Sequence, residues 1–270
     1  MTLRVLEHVI RRAGLAVRLT DLATGLPARD GITVTAWPAA RPELALATRA
    51  VSPEGVAGFT RLPGLRTYED GSTARADWFA SPVVFPPLPY VLRVEDATGD
   101  HLTVVREVLA PSPNPVDLAL PRRPSASTPS GSLTVVANVV DQTGEPAAWA
   151  LVELALGSFV TGGLADDRGA VVVPVPRVVP PTSTGSPSGG PVWRVTVRVR
   201  YRPADQAAAA GGATDDPPTI TSLLTQAPAL VDDGGVLAGS LGRDLTTGGP
   251  LVLSSRPSPA PSVLVVRPTP

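Results

Sequence analysis

The same turn is written twice in this chain. Residues 15–37 read LAVRLTDLATGLPARDGITVTAW and residues 133–155 read LTVVANVVDQTGEPAAWALVELA. Each stretch opens on an alternating apolar run, Leu15/Val17/Leu19 in the first and Leu133/Val135/Ala137 in the second. Each then reaches an Asp, a Thr-Gly pair and, two residues on, a Pro: Asp21, Thr24, Gly25, Pro27 against Asp141, Thr143, Gly144, Pro146. Alternation resumes at Ile32/Val34/Ala36 and at Ala150/Val152/Leu154. A period of two puts the apolar side chains on one face of a strand, while Asp and Gly supply turn chemistry. The repeat therefore restricts the chain to a fold that uses one strand–turn–strand unit twice, and it carries no chemistry of its own.

The rest of the sequence agrees with an all-β reading. A content of 32 Pro and 25 Gly in 270 residues forbids long helices over most of the chain, and 43% hydrophobic residues supply enough apolar side chains for a core. One amphipathic helix is predicted over 2–13, with Leu3, Leu6, Ile10 and Ala13 on one face; it packs on its own domain or docks a neighbour. Strands are predicted at 15–20, 31–37, 46–51, 56–60, 90–95 and 102–108, with VDLAL (116–120) closing the first unit. In the second unit they fall near 133–140, 149–155, 169–175 and 192–201, with a short helix near 219–227 and closing strands in PLVLSS and SVLVVRP. The turn ADDRGAVVV (165–173) stands where SPEGVAGF (52–59) stood. This divides the chain into a first sandwich over 1–121, a Pro/Ser linker over 122–131 and a second sandwich over 132–270. The linker is expected to carry few contacts. Two low-complexity inserts, 180–191 and 203–218, read as surface loops.

Strand, Asp–Thr-Gly–Pro turn, strand, acidic-Gly turn, strand is a pattern that resembles the carboxypeptidase regulatory-like domain, a transthyretin-like β-sandwich module. The resemblance covers 15–120 and 131–270 and rests on turn motifs. It implies two tandem immunoglobulin/transthyretin-like sandwiches. The arrangement of 11–102, from RRAGLAVRLTD to EDATGDHL, also resembles proteins of extracellular contractile injection systems of actinobacteria. That likeness implies a subunit of a phage-tail-like particle.

Catalytic chemistry finds little purchase. No cysteine is present, which excludes disulfides and thiolate sites. Two histidines, His8 and His101, cannot build the His/Glu/His zinc site of the metallocarboxypeptidases that carry such modules, and both read as surface polar residues. The Tyr-Arg-Gly-Ser ending of transthyretin-like hydrolases is replaced by VVRPTP. No serine sits in a Gly-x-Ser-x-Gly elbow, and GGVLAGSLG (234–242) lacks the Lys-Ser/Thr of a phosphate loop. The pairs Asp166-Asp167, Asp215-Asp216 and Asp232-Asp233 could offer oxygens to calcium, but each lies in a turn that Asp favours for its own hydrogen bonding. The expectation is a non-enzyme with no cofactor and no metal.

Charge excludes more. A net charge of −1 offers no field for nucleic acid, and all 23 basic residues are Arg, which reads as the codon bias of a GC-rich bacterium. No apolar window is long enough to span a bilayer, and the N-terminus does not read as a secretory signal, so assembly in the cytoplasm is expected, with release as part of a particle. Candidate interface residues are Trp78 and Phe79, in the long loop 65–89, flanked by Tyr68 and Phe85. Two large aromatics there are either a lid on the first unit or an anchor in a partner's pocket. Arg194, Arg198 and Arg200 share one face of a strand, as a solvated face or as a surface for an acidic partner. The function expected is a non-enzymatic subunit of a contractile, phage-tail-like particle, at baseplate, fibre or cap, with other subunits as partners. The alternative is a carbohydrate- or protein-binding surface module exported without a standard signal.

Overall fold

A computed structural model describes residues 13–66, 86–176, 191–247, 249–255 and 262–269. The predicted helix at 2–13 and the insert 180–191, each but for its last residue, and the aromatics Tyr68, Trp78, Phe79 and Phe85 lie outside the described residues. Within them the protein is all-β, in several sheets.

The first seven strands are β1 (Leu15–Asp21), β2 (Ile32–Pro38), β3 (Leu46–Thr48), β4 (Val56–Phe59), β5 (Leu88–Asp96), β6 (Val104–Ala110) and β7 (Val116–Leu120). They form two sheets, β4-β1-β7 and β3-β2-β5-β6. β1 runs antiparallel to β4 and parallel to β7, in register from Val17↔Val116 to Asp21↔Leu120. Leu15, Val17 and Leu19 point inward and are fully buried, while Arg18 between them faces solvent and pairs with Asp117 at 3.2 Å. Ile32, Val34, Phe59, Tyr90 and Leu92 meet them from the other strands.

The next strands are β8 (Ser132–Asp141), β9 (Leu151–Leu156), β10 (Phe159–Leu164), β11 (Ala170–Pro176) and β12 (Val192–Arg200). After a helix α1 (Ile220–Leu224) follow β13 (Pro228–Asp233), β14 (Val236–Ala238), β15 (Leu241–Thr246), β16 (Leu251–Val252) and β17 (Val263–Pro268). The pairing of the first half recurs. β8 lies between antiparallel β11 and the parallel strands β16 and β17, and β9 lies between β10 and β12, as β2 lies between β3 and β5. One difference joins the sheets. β12 changes partner along one edge, from β15 at 192–197 to β13 at 199–200, and β13 pairs β17, so the strands form one continuous ten-stranded sheet.

The strands foreseen from alternation are present, with ends shifted by a few residues. β10, β13, β14 and β15 were not foreseen. β10 carries Gly162-Gly163, whose missing side chains allow close approach to the Val152 carbonyl and to Val171 and Val173. A Gly pair inside a strand hides its alternation.

Two large apolar clusters result, with a small third one around Trp37. Val135, Val152, Leu154, Val173, Trp193 and Val195 centre the second. The first is not closed by its own half: Leu151, Leu164, Ile220 and Leu223 of the second half pack into it. Burying four such side chains is worth at most about 6–12 kcal/mol.

Candidate functional site

Turn chemistry places the first charged group. The Asp21 carboxylate (Oδ1) accepts from the backbone N–H of Ala23 and of Thr24, both at 2.9 Å, and Gly25 takes a φ of +70° to close the turn. In the second half Asp141 Oδ1 accepts from the Thr143 N–H at 2.8 Å and the Glu145 N–H at 3.1 Å, and Gly144 has a φ of +89°. The partner turns match as well. The Leu19 N–H donates to the Gly55 carbonyl (2.8 Å) and the Val139 N–H to the Gly169 carbonyl (2.7 Å). A Cβ on Gly55 or Gly169 would run into the Leu19 or Val139 carbonyl respectively, so both positions need glycine for φ and for space.

The first turn differs in what covers it. The free oxygen of Asp21 meets Arg122 Nε at 2.6 Å and His101 Nε2 at 3.3 Å. The other ring nitrogen, Nδ1, lies 2.8 Å from Asp96 Oδ2, which also accepts from the His101 N–H at 3.0 Å. Asp96 Oδ1 accepts from the Thr98 N–H at 2.8 Å and from its hydroxyl at 2.5 Å. Asp21, Asp96 and His101 are all buried. Burial works to raise the Asp21 carboxyl, but hydrogen bonds from His101 and Thr24 and the Arg122 charge outweigh it and hold the pKa at about 2. Burial likewise opposes ionisation of Asp96, and the Thr98 and His101 hydrogen bonds hold its pKa below the usual value. For His101 burial disfavours charge, while Asp21 and Asp96 raise the pKa above that of an ordinary imidazole. The expectation of a surface His101 is corrected: it is the centre of a buried ionic cluster.

The cluster fastens the connecting segment. The Leu102 N–H donates to the Pro121 carbonyl at 2.8 Å, the Arg123 N–H to the Asp100 carbonyl at 2.9 Å, and Arg123 Nε to the His101 carbonyl at 2.8 Å. The expectation that 122–131 carries few contacts is therefore not met at its start.

A second set of ties joins the halves. Residues 203–219 run over the outward face of the β3-β2-β5-β6 sheet. Trp37 Nε1 donates to the Gly211 carbonyl at 3.0 Å, the Ala210 N–H donates to Glu107 Oε1 at 2.6 Å, and Arg93 stands 3.2 Å from Asp216, whose side chain is 4% exposed. Val105 bridges Thr219 in parallel. Ala209 packs with Trp37, Val91 and Val105. The insert 203–218 is thus a surface segment, as expected, but a strapped one. Behind it, the fully buried Gln226 donates to the Trp149 carbonyl (2.8 Å) and the Leu223 carbonyl (3.0 Å) and accepts from the Arg202 N–H (3.1 Å). Thr161 adds a hydroxyl bond to the Ala23 carbonyl at 2.9 Å, beside the Asp21 turn.

The predicted arginine face exists on β12, and the chain's own carboxylates occupy part of it. Arg194 pairs with Asp244 at 2.9 Å and Arg200 with Glu153 at 2.9 Å; Arg198 is exposed in register with Glu153. Asp166, Asp216 and Asp232 spend an oxygen on turn N–H groups, those of Arg168, Ala213 and Gly235 respectively. Among the described residues no group of three His, Asp or Glu side chains is arranged to hold a metal ion, and no helix is long and apolar enough to cross a membrane. A shallow groove of about 420 Å³ lies between β6 and β7, lined by Pro89, Arg106, Glu107, Val108, Leu109 and Val116. The residues that sequence reasoning missed are Asp96, Arg93, Glu107 and Gln226; Arg93 and Glu107 find partners across the chain in Asp216 and the Ala210 N–H, while those of Asp96 lie within its own hairpin.

No protein-family model matches the chain, and no curated protein matches it. Among solved structures, a mutant of the shaft pilin spaA from Lactobacillus rhamnosus GG aligns over 96% of this chain and 98% of that one, at 8% identity and a TM-score of 0.25. A superposition that loose carries no argument about fold or function.

Proposed function

We propose that the protein is a non-enzymatic structural subunit of a contractile, phage-tail-like particle, built of two tandem immunoglobulin/transthyretin-like sandwiches. The observation that carries this reading is how the charged and polar side chains are used. Asp21, Asp96, His101, Arg122, Arg93, Asp216, Glu107 and Gln226 tie one part of the chain to another. Of these, Arg93 with Asp216 and Glu107 with the Ala210 N–H tie the second half to the first, and a subunit that must hold its neighbours at a fixed spacing requires such ties. The particle type rests on the resemblance of 11–102, and the interface on Trp78/Phe79 with Tyr68 and Phe85.

The test is copurification. The protein is expected to sediment with sheath-and-tube particles from a cell lysate, and Trp78→Ala/Phe79→Ala is expected to leave the particle without shifting its own melting temperature. A second reading, a protein- or carbohydrate-binding surface module, has the groove between β6 and β7 in its favour, where Leu109 is 58% exposed beside Arg106 and Glu107. Sedimentation at monomer size alone would favour that module and defeat the particle subunit.

A further inference from the structure

Both ring nitrogens of His101 face a carboxylate oxygen, Nδ1 at 2.8 Å from Asp96 and Nε2 at 3.3 Å from Asp21. A neutral imidazole has one N–H and one lone pair, so either tautomer would set a lone pair against a carboxylate. The site is walled from water, with His101 at 9% and Asp21 at 4% exposure, and such a clash is costly there. Only the doubly protonated ring donates in both directions. The charges agree: Asp21 and Asp96 are negative, Arg122 is positive, and an imidazolium closes the sum at zero.

We propose that protonated His101 is a latch on the segment that connects the two halves, and that losing one ring proton loosens it. The groups around the ring are Asp21 from β1, Asp96 and Thr98 from the β5–β6 hairpin, and Arg122 from the connecting segment. Arg123 engages the His101 carbonyl rather than the ring, and Asp100 contributes its backbone carbonyl to Arg123. On deprotonation the shorter contact, to Asp96, retains the N–H. The lone pair then falls on the Asp21 side, against the oxygen that also holds Arg122. The peptide of His101 is bridged to Arg122, so the disturbance passes to the first residues of the connecting segment.

The sign follows from the direction of the shift. A histidine raised on folding stabilises the fold in full below its unfolded value and loses that contribution as pH climbs through the folded one. The latch therefore opens on the alkaline side.

His8→Gln leaves His101 as the sole histidine of the intact chain. In that background, nitrogen NMR of the ring is expected to show two protonated nitrogens at about pH 7, above the ordinary histidine pKa. Amide exchange protection of Leu102 and Arg123 is expected to fall in step with the ring's titration. The urea midpoint should drop between about pH 6 and about pH 9 and lose that drop in His8→Gln/His101→Gln. A lone-pair nitrogen at about pH 6 would overturn the imidazolium. Unchanged protection while the ring titrates, or an equal drop in the double variant, would overturn the latch. If the double variant does not fold, the ring spectrum and the protection of the single variant decide.

Discussion

The Asp21 turn and the Asp141 turn use the same chemistry, the first with one residue more, and differ in what covers them. In each, a carboxylate oxygen gathers turn N–H groups, a glycine with positive φ closes the loop, and a second glycine lies under the strand before it. Asp21 is then sealed beneath Arg122 and His101. Asp141 stays open to solvent, held below the usual carboxylate pKa by the Thr143 hydroxyl, and its charge adds to burial in raising the pKa of Tyr201. The comparison separates two roles for one residue type. Making the turn needs only an oxygen two residues before an N–H. Holding the junction needs a charge, burial and partners far away in sequence.

The largest expected effect falls on the asymmetry between the halves. A fragment of residues 1–121 loses the four second-half side chains that complete its core, worth at most about 6–12 kcal/mol, which is comparable to the whole stability of a small domain. It is expected to lack a cooperative urea transition, although it keeps its turn; a sharp transition near that of the whole chain would show the halves to be energetically separate. Next comes the aspartate pair itself. Asp21→Ala strands Arg122 and His101 in a buried site and is expected to cost about 3–5 kcal/mol, while Asp141→Ala gives up exposed turn bonds worth about 1 kcal/mol. Equal losses in chemical denaturation would erase the distinction between the two aspartates.

Smaller effects sharpen the shared part. Gly55→Ala and Gly169→Ala meet the same obstruction and are expected to lose about 2–4 kcal/mol each, by nearly equal amounts. Acid then separates the halves again. Asp21 titrates at about 2 when folded against 3.8 for an ordinary aspartate, so its contribution, about 2 kcal/mol, is present above the unfolded value and is lost as pH falls from about 4 to about 2. Melting curves of Asp21→Asn should be flatter than the parent's across that window. Least of all, Trp37→Phe removes one bond to the strap and is expected to cost about 1 kcal/mol, visible as faster exchange around residue 211.

What sequence reasoning reached, and what it missed, divides along the same line. The Asp–Thr-Gly–Pro turn was legible because all its bonds lie within a few residues of Asp21 or Asp141. β1, β2, β5, β8 and β12 were legible because one face of each is buried, which writes a period of two into the chain. The burial of His101 was not, because Asp21 lies 80 positions away and Arg122 belongs to a stretch that reads as linker. A signal was present all the same: His101 sits five residues after Asp96 in a tight hairpin, and Arg122-Arg123 follow directly on the strand VDLAL. The strap was masked by composition. Its run of Ala and Gly looks like filler, yet small residues are what let the chain at Gly211 come against the backbone of Ala39.

The parallel pairing of β1 with β7 has a mechanical consequence. Because the two strands run the same way, a force applied to the start of β1 and the end of β7 pulls along both strands in opposite senses. The registered pairs from Val17↔Val116 to Asp21↔Leu120 then carry the load together in shear rather than opening one after another like a zipper. β8 and β17 are set the same way, from Asn138↔Val263 to Asp141↔Val266. Stretched along these strands in a single-molecule experiment, each half should resist and then fail abruptly, which is how a link under tension behaves when its length must not creep.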